Sequence, residues 1–93
     1  MRTNDLYKAI LSLKDEAEVE RFLYDLCTPQ ELETLAERWQ VARLLEKGIP
    51  YRQIYEATGV STATVTRVAK ALNYGSGYRM VLERKDKRDA RAR

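Results

Sequence analysis

The sequence has no histidine and a single cysteine, Cys27, in 93 residues. One thiol cannot form an intrachain disulfide. Zinc sites draw on several His and Cys ligands, so no donor set for one is present. The usual nucleophile–base pairs are missing too, which leaves only carboxylates and hydroxyls for catalysis. Asp15, Glu16, Glu18 and Glu20 read better as a solvated helix start than as an acid/base pair. No glycine-rich phosphate loop is present. We expect no enzymatic activity, no metal and no cofactor. No apolar run approaches the ~18–20 residues of a membrane span, and no leader-like segment stands out. The expected location is the cytoplasm, with no membrane partner. Two prolines and four glycines leave room for long helices. Strand-like alternation never persists beyond a few residues.

What is present suits a soluble globular chain, with 44% hydrophobic and 33% charged residues. The length fits one domain. So short a chain buries only roughly 60–65% of the surface its unfolded form exposes, and oligomerisation is a common remedy. The net charge of +3 conceals an asymmetry. Residues 1–48 carry seven basic and ten acidic side chains, and residues 49–93 carry ten basic and four acidic. A polyanion-binding surface therefore belongs in the second half. A basic tail that only solubilises the chain is the plainer alternative.

Helical signals follow one another along the chain. Leu6, Ala9, Ile10 and Leu13 recur at helical spacing between residues 4 and 13. Asp15 offers an N-cap with Glu18 three residues on, followed by the stripe Val19, Phe22, Leu23 and Leu26. Thr28, Pro29 and Glu31 form a stronger start, with Cys27 and Leu32 placed as a hydrophobic staple. That helix is expected to reach Lys47, with Gly48 ending it. Its apolar residues, Leu32, Leu35, Ala36, Trp39, Val41, Ala42, Leu44 and Leu45, wrap beyond one stripe and call for more than one neighbour. Shorter helices are expected over 51–58, 62–73 and 78–85, with Gly75-Ser76-Gly77 as a break. We place a single domain at 1–83. The basic tail 84–93 has no apolar stripe and is expected to be disordered.

The segment 51–73 carries the functional signal. A helix-turn-helix needs two short helices joined by a tight turn, usually with a glycine that tolerates positive φ. Gly59 supplies the glycine, and Val60 is the apolar plug between the helices. Ile54 faces inward from the first helix, and Val65 and Val68 from the second. Two positions depart from the usual pattern: Tyr55 is large, and Thr58 is polar where an apolar residue is common. A helical wheel gathers Thr62, Thr66, Lys70 and Asn73, with Ala63 beside them, opposite Val65, Val68 and Leu72. Thr and Asn side chains can hydrogen-bond base edges, and Ala63 or a threonine methyl can meet a thymine methyl. Lys70 and Arg52 suit phosphates. Free N–H groups at Ser61, Thr62 and Ala63 favour phosphate as well. A merely solvated helix face is the competing reading. Arg67 falls on a third side, where it can pair with Glu37 or Glu46 or hold a ligand anion.

Residues 28–48, Thr-Pro-Gln-Glu-Leu-Glu-Thr-Leu-Ala-Glu-Arg-Trp-Gln-Val-Ala-Arg-Leu-Leu-Glu-Lys-Gly, resemble the long central helix of the Trp repressor superfamily. The stretch from Gly59 to Arg67, with its Ala-Thr-Val-Thr-Arg run, resembles that family's helix-turn-helix. The short chain and Asn73-Tyr-Gly-Ser-Gly-Tyr78 are most similar to its YerC/YecD-like group. The resemblance implies an all-α, Trp-repressor-like bundle that forms an intertwined homodimer and binds double-stranded DNA as a repressor. It also implies DNA contacts at Arg52, Tyr55, Ser61, Thr62, Ala63 and Thr66, to which the wheel adds Lys70. Tyr55 stands where the repressor has lysine. Thr28, Arg38 and Arg67 match residues that hold the corepressor. Val68 replaces a glycine that makes room for the indole, and Ala71 replaces a serine that supports the ligand's amino group. L-tryptophan is therefore not expected to bind well, and any small-molecule effector would be another compound. A helical protein-interaction module without sequence-specific DNA binding is the alternative function.

Overall fold

The computed structural model describes the backbone of residues 1–92 and the side chains of residues 1–85. Six helices and no strand occur among the described residues: α1 (Arg2–Leu11), α2 (Glu16–Leu26), α3 (Pro29–Glu46), α4 (Tyr51–Thr58), α5 (Thr62–Tyr74) and α6 (Gly77–Ala92). The chain divides into two compact units, Met1–Thr34 and Leu35–Arg93, with the division inside α3.

In the first unit, local capping explains where two helices start. The Asp15 carboxylate accepts the Glu18 N–H at 2.9 Å, and Glu18 Oε1 accepts the Lys14 N–H at 2.9 Å. At α3 the reciprocal capping box is complete. Thr28 Oγ1 accepts the Glu31 N–H at 3.1 Å, and Glu31 Oε1 accepts the Thr28 N–H at 2.8 Å. These bonds hold the Glu31 carboxyl below its ordinary range, the Thr28 N–H contributing most and the Thr28 side chain next. Helix α1 lies two residues earlier than its apolar spacing suggests and has no side-chain cap. Neither α1 nor α2 contains a buried residue. Cys27 and Leu32, the expected staple pair, are both half-buried.

The second unit builds a core. Val41 and Ala42 from α3, Ile54 from α4, Val60 from the turn, and Val65 and Val68 from α5 form one buried cluster. Trp39, Leu44, Leu45 and Tyr55 pack against its edge. Burying a side chain such as Ile54 stabilises the fold by about 1.5–3 kcal/mol. Helix α3 stops where the sequence places its glycine. Gly48 has φ +83°, its N–H donates to the Leu45 carbonyl, and the Ile49 N–H donates to the Leu44 carbonyl. That is the Schellman arrangement, which satisfies two orphan carbonyls.

Helix α6 extends further than its apolar pattern predicts. Its backbone stays helical through the basic segment expected to be disordered, as far as Ala92. Arg, Lys and Ala are strong helix formers, and propensity alone favours this continuation. Side chains from residue 86 onward, and Arg93 altogether, lie outside the described residues.

Candidate nucleic-acid interface

The bend between α4 and α5 forms as its residues require. Gly59 takes φ +71° and ψ 7°, the left-handed conformation that β-carbon sterics disfavour in other residues. Its N–H donates to the Tyr55 carbonyl at 2.9 Å, closing the last turn of α4. Val60 then turns inward and is 6% exposed. Ser61 caps α5: its Oγ accepts the Thr64 N–H at 3.2 Å. The Ser61 and Thr64 hydroxyls also lie 3.0 Å apart, within hydrogen-bond distance.

Helix α5 is divided by side. Val65, Val68, Ala69 and Leu72 are buried, whereas Thr62, Ala63, Thr66, Lys70 and Asn73 are exposed. The exposed set consists of short polar side chains with one cation, a shape and chemistry that a major groove accepts. Near the start of this helix, the Ser61, Thr62 and Ala63 N–H groups have no acceptor among the described residues. Helix N-termini of this kind favour anions.

On α4, Arg52 projects into solvent but is not solitary. Its Nε lies 3.5 Å from Glu56 Oε1, and both side chains are largely exposed. Such a pair contributes little to stability, roughly 0.3–0.5 kcal/mol, so a phosphate can compete for the arginine. Tyr55 is half-buried and packed on the core. Its size, which departs from the usual motif, is used in packing.

The residues matched to a corepressor site fall in both units. Thr28 belongs to the first, where its hydroxyl is committed to the capping box. Arg38 and Arg67 belong to the second. Arg38 is half-buried and its Nε is enclosed without a hydrogen-bond partner. Arg67 is exposed, and the ion pair found among the described residues is Arg52–Glu56, so Arg67 joins neither Glu37 nor Glu46. Val68 is 1% exposed within the core cluster and fills the space a glycine would leave. Ala71 lines an open apolar cleft of about 620 Å³ together with Trp39, Gly75, Gly77, Tyr78, Met80 and Val81. The Trp39 and Tyr78 rings stack there, centroids 6.4 Å apart and planes 20° from parallel. No group of residues suited to a metal ion is found among the described residues. No helix among them is long and apolar enough to cross a membrane.

Two features of this region have little or no signal in the sequence. Arg79 of α6 donates to the Leu72 carbonyl at 3.3 Å, satisfying a carbonyl in the last turns of α5. Thr58 uses its hydroxyl twice, donating to the Ile54 carbonyl at 2.7 Å and accepting the Val60 N–H at 3.1 Å. The only sign of the second in the sequence is a polar residue at a normally apolar position.

A left-handed glycine, a buried plug and an outward polar helix define a helix-turn-helix protein of the all-helical kind. The chain matches the family model described as Trp repressor protein over residues 2–86. It belongs to the Trp repressor family, a family of DNA-binding transcription regulators and not of enzymes. It is similar to the uncharacterised protein YerC of Bacillus subtilis, 50% identical over 82 residues that span 87% of this chain and 79% of that one. A Trp operon repressor homolog of Actinobacillus succinogenes is 34% identical over 70 residues, or 74% of this chain and 69% of that one. Among solved structures, a TrpR-like protein from Eubacterium eligens superposes with a TM-score of 0.84 at 46% identity. That match covers 89% of this chain and 87% of the other.

Proposed function

We propose that this chain is a sequence-specific transcriptional repressor of the cytoplasm that binds double-stranded DNA as an intertwined homodimer. The observation that carries the reading is the two-sidedness of α5, with its apolar side closed into the core and its threonines in the open. In this account Ala63 and Thr66 meet base edges, Thr62 and the free amides at the start of α5 meet phosphate, and Lys70 and Arg52 add cationic phosphate contacts. Ser61 shapes the helix start through its cap, and Tyr55 borders the contact from α4. Two such helices enter successive major grooves about 34–36 Å apart.

Dimerisation is supported by apolar surface that one chain leaves open. Ile10, Val19 and Leu26 on the predicted stripes are 45%, 38% and 50% exposed. In the second unit, Met80 and Val81 of the apolar cleft are 47% and 44% exposed. We assign these surfaces to a second copy. The same cleft also suits a foreign helix, which is the ground for the alternative, a protein-interaction module. Failure to distinguish DNA sequences would favour that alternative.

We infer that tryptophan is not the effector, because Val68 fills the space needed for its ring and Ala71 offers no hydroxyl. Arg38 and Arg67 remain as cations for a different anionic effector. Titration calorimetry should show no micromolar binding of L-tryptophan; binding at one per subunit would overturn this point.

The DNA reading is tested by equilibrium binding to a selected duplex. Thr66→Ala and Ala63→Asp should impair specific binding. Lys70→Ala should weaken binding to all sequences and flatten the salt slope by about one. Binding that ignores both the DNA sequence and these substitutions refutes the proposal.

A further inference from the structure

We propose that Thr58 is a positioning residue for DNA recognition: its hydroxyl fixes the angle at which α5 leaves the turn. The inference rests on the DNA reading above and extends it to a residue that touches no DNA.

The geometry is specific. A threonine inside a helix commonly returns its hydroxyl proton to the carbonyl four residues back, and the bond to the Ile54 carbonyl is of that kind. The second bond is not. Val60 lies beyond the glycine, 6% exposed, and its N–H has no other acceptor among the described residues. A buried N–H left without a partner is costly, so the turn is held where Thr58 can reach it. One oxygen therefore ties the last turn of α4 to the residue that plugs the two helices. Gly59, between them, has no side chain, and even an added Cβ would meet nothing within 4 Å, so packing at this position supplies no such restraint. Small errors in this angle are magnified along α5, because Thr66 and Lys70 lie one and two turns beyond its start. An apolar residue at position 58 would fill the same space and leave the Val60 N–H unpaired.

The test uses the full chain and compares Thr58→Val, which keeps the shape, with Thr58→Ser, which keeps the hydroxyl. Binding is measured to a duplex that the unaltered chain selects from a random library and to an unrelated duplex of equal length. Thr58→Val should lose about fivefold to tenfold in affinity for the selected duplex and nothing for the unrelated one. Thr58→Ser should bind as the unaltered chain does. Amide exchange at Val60 should be at least about tenfold faster in Thr58→Val. Equal losses on both duplexes, or no loss on either, overturn the proposal. If Thr58→Val does not fold, exchange in the unaltered chain decides: a Val60 N–H as fast as that of Thr62 overturns it, and a protected one supports it. A chain that selects no duplex sinks the DNA reading and this role with it. Selection that is indifferent to Thr58→Val sinks the role alone.

Discussion

The unit Leu35–Arg93 closes a core of its own, and the unit Met1–Thr34 does not. All the buried apolar side chains among the described residues, from Val41 to Leu82, belong to the former. The latter keeps its helices through caps at Asp15 and Thr28 while Tyr7, Leu11 and Tyr24 stand 61%, 85% and 74% exposed. Capping sets helix ends but supplies little of the free energy that apolar burial supplies. The contrast teaches a division of labour. The second unit packs α5 into its own core, and in the proposed dimer the exposed apolar residues of the first unit add to the surface for assembly.

Four experiments can break or sharpen that contrast. The largest effect is expected at Ile54, fully buried in the second unit. Ile54→Ala should cost about 2–5 kcal/mol, read as a lower urea midpoint with an unchanged slope. A cost well below that range would show that the core is looser than its burial suggests. Next comes the first unit. Ile10→Ser combined with Leu26→Ser should raise the dimer dissociation constant at least about tenfold, equal to ~1.4 kcal/mol. Sedimentation equilibrium measures it, and an unchanged constant would place the seam elsewhere.

A smaller effect is expected at the bend. Because Gly59 has open space around it, Gly59→Ala suffers from its φ of +71° alone. It should cost about 1 kcal/mol in the denaturation midpoint, and Gly59→Asn less. The smallest concerns Glu31. Its carboxyl is held below its ordinary value of 4.5 by Thr28. A group whose folded pKa is depressed adds stability that is complete above its unfolded value and fades as pH falls through the folded one. Thermal melts from about pH 5 downward should therefore show an acid-dependent loss that Glu31→Gln lacks. Parallel curves would mean that the capping box does not persist in solution.

Most of the helical plan was legible because its signals are local. Thr28 and Glu31 can satisfy each other's N–H groups whatever surrounds them, and Gly48 and Gly59 accept a conformation that other residues resist. The inward set Ile54, Val60, Val65 and Val68 followed from helical period plus the turn. Less local facts were hidden. The continuation of α6 to Ala92 depends on propensity without an apolar stripe, and periodicity is silent there. The start of α1 lacks a cap and so lacks a marker. Arg52 pairs with Glu56 across one helical turn, a spacing present in the sequence but equally compatible with an arginine left free for phosphate. Thr58 was legible only as a departure. Its second hydrogen bond depends on how sharply the chain turns at Gly59.

The most direct test of the account is selection of duplexes from a random library by the full chain. Selection should enrich a two-fold-related motif with half-sites about one helical turn apart, and the enrichment should be lost when Thr66 is changed to Ala. A pool that stays random over successive rounds, at low and moderate salt alike, would contradict it.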